Sequence, residues 1–201
     1  MEYSLKLVTA PIEEPVSIDE VKKYVHIDHD VEDTLISTWI SSARRLAEVY
    51  QRRAYCQQTW EMSFDYLPSS SLPISLPYPP LIEVISVDYY DYQDKKISAN
   101  LPDFIVDTRS EPARIALAYC KYWPTDILRS LGAMIIRYSA GYKISYLGSS
   151  TTPSPEENLI PAYVRDAICL YCAYRNENRS GEIDKIPQAF YDILNPERIF
   201  E

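Results

Sequence analysis

Residues 15–53, PVSIDEVKKYVHIDHDVEDTLISTWISSARRLAEVYQRR, constrain this chain more than any other stretch. They spell a short capped helix, a polar break and a long amphipathic helix. Ser17 followed by Glu20 is a capping-box pattern, in which the hydroxyl accepts from a first-turn N–H and the carboxylate reaches back to the Ser N–H. Asp19 and Glu20 also sit where the positive end of the helix dipole favours them. The break His26-Ile27-Asp28-His29-Asp30 ends this helix, and a second is predicted to start between Asp30 and Asp33. Leu35, Ile36, Trp39, Ile40, Ala43, Leu46, Ala47 and Tyr50 recur at steps of one, three or four residues, the stripe of a core-facing helix. Continued to Arg53, that helix runs about 30 Å. Neither helix carries a reactive group, so the chain opens on a packing device.

The 201 residues suit a single domain, in which 17–54 and 161–201 form a helical part, 55–142 an inserted β region and 143–160 a mobile loop. The fold class expected is α+β, with a helical core from the N- and C-terminal helices and an inserted antiparallel β region. An apolar content of 46% is ample for a core. No apolar run reaches the length of a membrane span. MEYSLKLVTAPIEEP lacks the basic and apolar regions of a signal peptide, which points to folding in the cytosol. A net charge of -9 argues against attraction to nucleic acid and leaves a surface past which DNA slides without sticking. The chain has 18 Tyr, and 15 Pro against 4 Gly. Tyr serves interfaces or strands equally well, while the proline excess means stiff, extended connections.

After the long helix, residues 57–67 alternate, with Trp60, Met62, Phe64 and Tyr66 on one side and Glu61, Ser63 and Asp65 on the other, as in a half-buried strand. Residues 68–80 form a Pro/Ser-rich link with a short edge strand at 74–76. Strands are predicted at 81–90, 104–107, 113–118 and 133–139, with turns through Asp91–Lys96 and Ser110-Glu111-Pro112. The middle of the chain thus holds about five or six strands. Residues 143–159 are rich in Ser, Thr and Pro and read as a mobile loop. Pro161 suits a first helical position, opening a helix to Asn178 with Val164, Ala167, Ile168, Tyr171, Cys172 and Arg175 on one face. Residues 182–201 form a weaker amphipathic stretch. Phe190, Tyr191, Leu194, Ile199 and Phe200 there are candidates for docking on a partner chain, the alternative being that the tail packs on its own core.

The residues offer little chemistry. Cys169 and Cys172 form a C-x-x-C inside a helix, not at the helix start that lowers a redox thiol's pKa. No second pair completes a zinc site, so these two, with Cys56 and Cys120, read as small buried hydrophobes. His26 and His29, flanked by Asp28 and Asp30, are the one arrangement that suggests a divalent metal, against the plainer reading of a solvated link. Arg44, Arg45, Arg52 and Arg53 make the one basic cluster. Glu48 lies four residues from Arg44 and from Arg52, so an ordinary solvated face is expected. With no nucleophile elbow and no Gly-rich phosphate loop, no enzyme is expected and no cofactor or metal is assigned.

The order of features resembles a known family. The opening helices look like the start of tailed-bacteriophage head–tail connector proteins of the gp6-like type. ISLPYPPLIEVISVDYYD, FIVD, EPARIALAYCKYWP and IIRYSAGY are similar to its longer, phiE125 gp8-like branch, and IPAYVRDAICLYCAYRNENR resembles its closing helix. The turn after Tyr89-Tyr90-Asp91 lacks the Gly expected there, which lengthens that hairpin. The resemblance implies a structural virion protein at the head–tail interface, made in the bacterial host cytoplasm. Its expected partners are the portal protein, a stopper or tail-completion protein, and further copies of itself in a ring, usually a dodecamer. The ring extends the channel, and DNA passes through without sequence-specific binding; no membrane is involved. The helices at 33–53 and 161–178 would form the core of each subunit, with the β region and the 143–160 loop reaching neighbours. Two rivals are a metal-dependent hydrolase using the His26/His29 region and a DNA-binding packaging accessory factor.

Overall fold

The computed structural model describes residues 2–67, 72–124, 128–142, 160–179 and 186–200. The fold is α+β, with four α-helices and two antiparallel sheets among the described residues. The chain forms two compact units, Met1–Pro11 with Gln57–Gly141 and Ile12–Cys56 with Tyr142–Glu201. The loop expected over 143–160 lies, but for Ile160, outside the described residues.

The first unit is built of strands. One sheet has the order β1 (Ser4–Thr9), β2 (Gln58–Phe64), β8 (Met134–Ala140), β4 (Leu81–Tyr90), β5 (Lys96–Ser98). The strand at Ser4–Thr9 was not expected, although Leu5 and Leu7 alternate with Ser4 and Lys6; they pair with Met62 and Trp60. β8 is central because its backbone is claimed on both sides. Trp60, Met62 and Phe64 of β2 lie opposite Tyr138, Ile136 and Met134, and Val87 and Tyr89 of β4 lie opposite Ile136 and Met134. All eight side chains are buried, as the period of two requires for one covered face. The opposite face is mostly polar, and Glu61 and Arg137, directly paired across β2 and β8, form an ion pair at 2.7 Å.

The second sheet has the order β3 (Ile74–Leu76), β7 (Ala113–Leu117), β6 (Phe104–Asp107). Ile74, Leu76, Ala113 and Ile115 are its buried residues. β3 is an edge strand, as the flanking prolines implied. Among the described residues the middle of the chain holds seven strands, against the five or six expected, and this antiparallel β region is divided into two sheets. The reason is that β3, β6 and β7 pair only with one another. Trp123 contacts both Tyr89 of β4 and Phe104 of β6, with ring centroids 6.3 and 6.1 Å away.

The second unit is helical: α1 (Ile18–Val25), α2 (Asp33–Gln51), α3 (Ala162–Glu177) and α4 (Gln188–Leu194). Its core joins Val21, Ile36, Trp39, Ile40, Ala43, Ala47, Val164, Ala167, Ile168, Tyr171, Phe190 and Leu194 among others, and α2 and α3 supply most of it. Ser17 caps α1 by accepting from the Glu20 N–H at 3.2 Å. Only that half of the capping box closes, because the Glu20 carboxylate is taken by Arg165 of α3 at 2.5 Å. The break after α1 is organised by Lys22, whose buried amine meets Asp30 at 2.6 Å and Asp33 at 2.5 Å. The hydrogen bonds from these two carboxylates hold the Lys22 pKa above its ordinary value.

Candidate docking surfaces

The chain reverses after α2 because Arg52 adopts the left-handed conformation, φ 57°, and caps the Glu48 carbonyl through its N–H. The Glu48 side chain completes the turn. Its carboxylate accepts from the Tyr55 N–H at 3.1 Å and from Arg44 at 3.0 Å. Arg44 also holds Glu14 through two nitrogens, at 2.7 and 3.2 Å. Arg44 is 8% exposed and Glu48 0%, so the solvated basic face expected from the sequence is in part a buried ion network. The cause is tertiary: Glu14 and Tyr55 cover that flank of the helix. Each oxygen of the carboxylate is satisfied, the condition for keeping such charges out of water. Burial pushes the Tyr55 hydroxyl and the Cys56 thiol well above their ordinary pKa values.

The same end of α2 fastens the C-terminal segment. Gln51 is buried; its amide donates to the Leu194 carbonyl and accepts from the Tyr55 hydroxyl. The Gln51 carbonyl accepts from the Ile199 N–H at 3.1 Å, and Arg53 donates to the Glu197 carbonyl at 3.1 Å. Of the five docking candidates, Phe190 and Leu194 have no exposed surface. Tyr191 is partly buried between Phe190 and Tyr50, with centroids 5.4 and 4.9 Å away, and Ile199 is partly buried. Phe200 is 75% exposed. Arg198 stacks over Tyr50 at 4.6 Å and over Phe200 at 5.1 Å, so the tail ends in an outward aromatic–cation knob.

In the β unit, one end of the larger sheet forms a braced tip. Arg129 lies 3.8 Å over the Tyr90 ring, donates to the Gly132 carbonyl at 2.9 Å and pairs with Asp94 at 3.3 Å. Gly132 has φ 61°, a left-handed conformation that glycine adopts without strain, and a Cβ there would displace the tip of the Arg129 guanidinium, 2.9 Å away. Its N–H donates to Asp65 at 2.7 Å. The neighbouring hairpin turn has no glycine: Asp94 takes φ 61°, and the Asp91 carboxylate accepts from the Gln93 and Lys95 N–H groups at 2.8 and 2.9 Å. Tyr66, Tyr92 and Leu131 are exposed on these loops. Tyr66, expected to face inward with Phe64, lies beyond the end of β2 and points to water instead. These tip residues were not singled out in the sequence; the exposure of a hydrophobe beyond a strand end has no periodic signal.

Several of the residues weighed for chemistry serve the fold instead. His26 serves as the left-handed C-cap of α1, and Asp30 beside His29 is engaged by Lys22. Among the described residues no cluster of three or more His, Cys, Asp or Glu has metal-binding geometry. Cys169 and Cys172 are buried in α3, and burial pushes both thiols up to about 12, far from a reactive thiolate. Cys120 departs from expectation: it is exposed, in a turn with φ 60°. Among the described residues no helix is long and apolar enough to cross a membrane.

No family model and no curated protein matches this chain. Solved structures do. Over 98% of its length and 96% of theirs, it is similar to a chain of the virion of a native gene transfer agent (GTA) particle and to one of the neck of an empty GTA particle computed with C6 symmetry, each with TM-score 0.75 and 15% identity. A chain of the neck of a native GTA particle computed with C12 symmetry covers the same shares, with TM-score 0.72 and 16% identity. At this identity the likeness is one of fold, which this chain shares over 98% of its length with chains of GTA virion and neck structures.

Proposed function

We propose that this chain is a structural protein of a virion neck, a head–tail connector that forms a ring beneath the portal. The observation that carries the reading is the fold shared over 98% of the chain with GTA neck components. The five-part resemblance to the longer branch of gp6-like connectors supports the same role from the sequence. The C12 symmetry of one neighbour's neck supports a ring of twelve. The chain would act in the virion, at the head–tail interface, after synthesis in the bacterial cytoplasm. Its ring would extend the DNA channel, with the net charge of -9 keeping DNA moving rather than bound. Portal and stopper or tail-completion proteins are the partners. Of the tail residues, Phe200, braced by Arg198, has the free surface to meet one of them.

The test is to mix the purified chain with the portal protein of the same genome and image the mixture by negative-stain electron microscopy. A new ring-shaped layer on one end of the portal is expected, its symmetry giving the subunit number. Bare portals beside free chains, across a range of salt and concentration, would overturn the reading.

A further inference from the structure

The helical unit presents two stripes of opposite charge, one exposed on α2 and its cap, and one on α3 that is exposed at Ala162, Asp166 and Glu177 and half-buried at Leu170 and Ala173. On α2 and its cap, Leu35, Thr38, Ser42, Arg45, Val49 and Arg52 recur at steps of three and four, opposite the face that Ile36, Trp39, Ile40, Ala43 and Ala47 turn to the core. From Thr34 to Arg52 the exposed positions include two arginines and no acid, in a chain with 29 acidic residues. On α3, Ala162, Asp166, Leu170, Ala173 and Glu177 recur the same way, opposite the buried Val164, Ala167, Ile168 and Tyr171. The charges in this stripe, Asp166 and Glu177, are both acidic; Arg165 leaves it to bind Glu20. Each stripe sets aliphatic side chains between its charges: Leu35 and Val49 on one, Leu170 with two small alanines on the other.

We propose that a second copy of this chain docks its α3 stripe onto the α2 stripe of the first, so that Arg45 and Arg52 face Asp166 and Glu177. Charge complementarity argues for this occupant: the two stripes belong to one chain, carry exposed charges of opposite sign, and lie on different helices. A contact between two different faces is heterologous, the kind that closes into a ring by rotation. The arginines lie about 10 Å apart along α2 and its cap and the acids about 16 Å apart along α3, a difference of about 6 Å that the reach of the two long arginine side chains spans. The small residues of α3 let the two backbones approach, and the aliphatic side chains exclude water between the charges. The inference rests on the ring reading above and specifies the faces that build it.

Two charge-reversed full-length chains test it, R45E/R52E and D166K/E177K, with ring formation followed by sedimentation velocity and electron microscopy, alone and on portal rings. Each variant by itself should associate at least about tenfold more weakly, because like charges then face each other. An equimolar mixture should regain rings of alternating chains, since each reversed stripe then meets its complement. Far-ultraviolet dichroism and melting confirm the fold. If reversal at the capping Arg52 lowers the melting temperature, Arg45→Glu alone carries the test. Rings from both variants equal to those of the unmodified chain would overturn these faces while leaving the ring reading intact. Dispersed chains in the mixture would overturn the pairing. Rings retained by R45E/R52E together with lost retention on DNA would reassign the α2 stripe to nucleic acid. No ring from the unmodified chain, even on portals, would overturn the ring reading itself.

Discussion

The β unit and the helical unit satisfy their polar groups in different ways. In the β unit the ladders do most of it through backbone, and the side chains that help act both locally and, as with Glu61 on Arg137 and Asp65 on the Gly132 N–H, between strands already held by the ladder. Asp107 holds Arg109, Ser110 and Arg114, and the buried Asp88 is served by Ser86, Lys96 and Ser98 of its own hairpin. In the helical unit, specific side chains reach across the chain: Arg44 to Glu14, Arg165 to Glu20, Gln51 to Leu194 and Arg53 to Glu197. A helix spends its backbone hydrogen bonds on itself, so whatever joins helices must come from side chains. The helical unit should therefore be the more sensitive to single polar substitutions, and no less sensitive to loss of apolar volume.

A matched pair of core truncations has the largest expected effect. Phe190→Ala and Phe64→Ala should each cost about 3–5 kcal/mol, read by denaturant unfolding. Hydrogen exchange should report the first loss in α2, α3 and α4 and the second in β2 and β8; loss spread evenly by either variant would mean that the two units open as one. The polar contrast comes next. Glu48→Ala leaves Arg44 short of a partner and the Tyr55 N–H unpaired, and should cost about 3 kcal/mol. Glu61→Ala breaks a partly exposed pair on the sheet face and should cost less than about 1 kcal/mol. Equal effects would erase the distinction between the units.

Smaller effects sharpen it. Tyr138→Phe removes the hydroxyl that donates to the Pro77 carbonyl at 2.9 Å, and Ser17→Ala removes the α1 cap. Each should cost about 1 kcal/mol, one in each unit. The least is a pH dependence at Asp88. Burial alone would raise its pKa, but hydrogen bonds from Ser98, Lys96 and Ser86 outweigh it and hold the carboxyl below its ordinary 3.8. A depressed folded-state pKa gives stability that is complete above the unfolded value and lost as pH falls through the folded one. Unfolding of the β unit followed below pH 4 should thus steepen with acid, and Asp88→Asn should flatten that slope; an unchanged slope would remove Asp88 as its source.

Much of the secondary structure was legible in the residues. Ser17 marked the start of α1, and the spacing of Ile36, Trp39, Ile40 and Ala43 marked the buried face of α2. Strand β4 spans Leu81–Tyr90 as its apolar run suggested, and the prolines around Ile74–Leu76 placed β3 on an edge. These are local properties, since capping and periodicity depend on neighbours a few residues away. Tertiary structure decided the rest. It put β8 between β2 and β4, separated the strands into two sheets, and brought in Ser4–Thr9, which becomes a strand by pairing with β2. It also buried Arg44 and Glu48, exposed Tyr66 and Cys120, and seated Phe190 and Leu194 while leaving Phe200 outside. Whether a side chain meets water or another side chain is set by which distant segment lies over it, and that information is distributed over the whole chain rather than written at any one position.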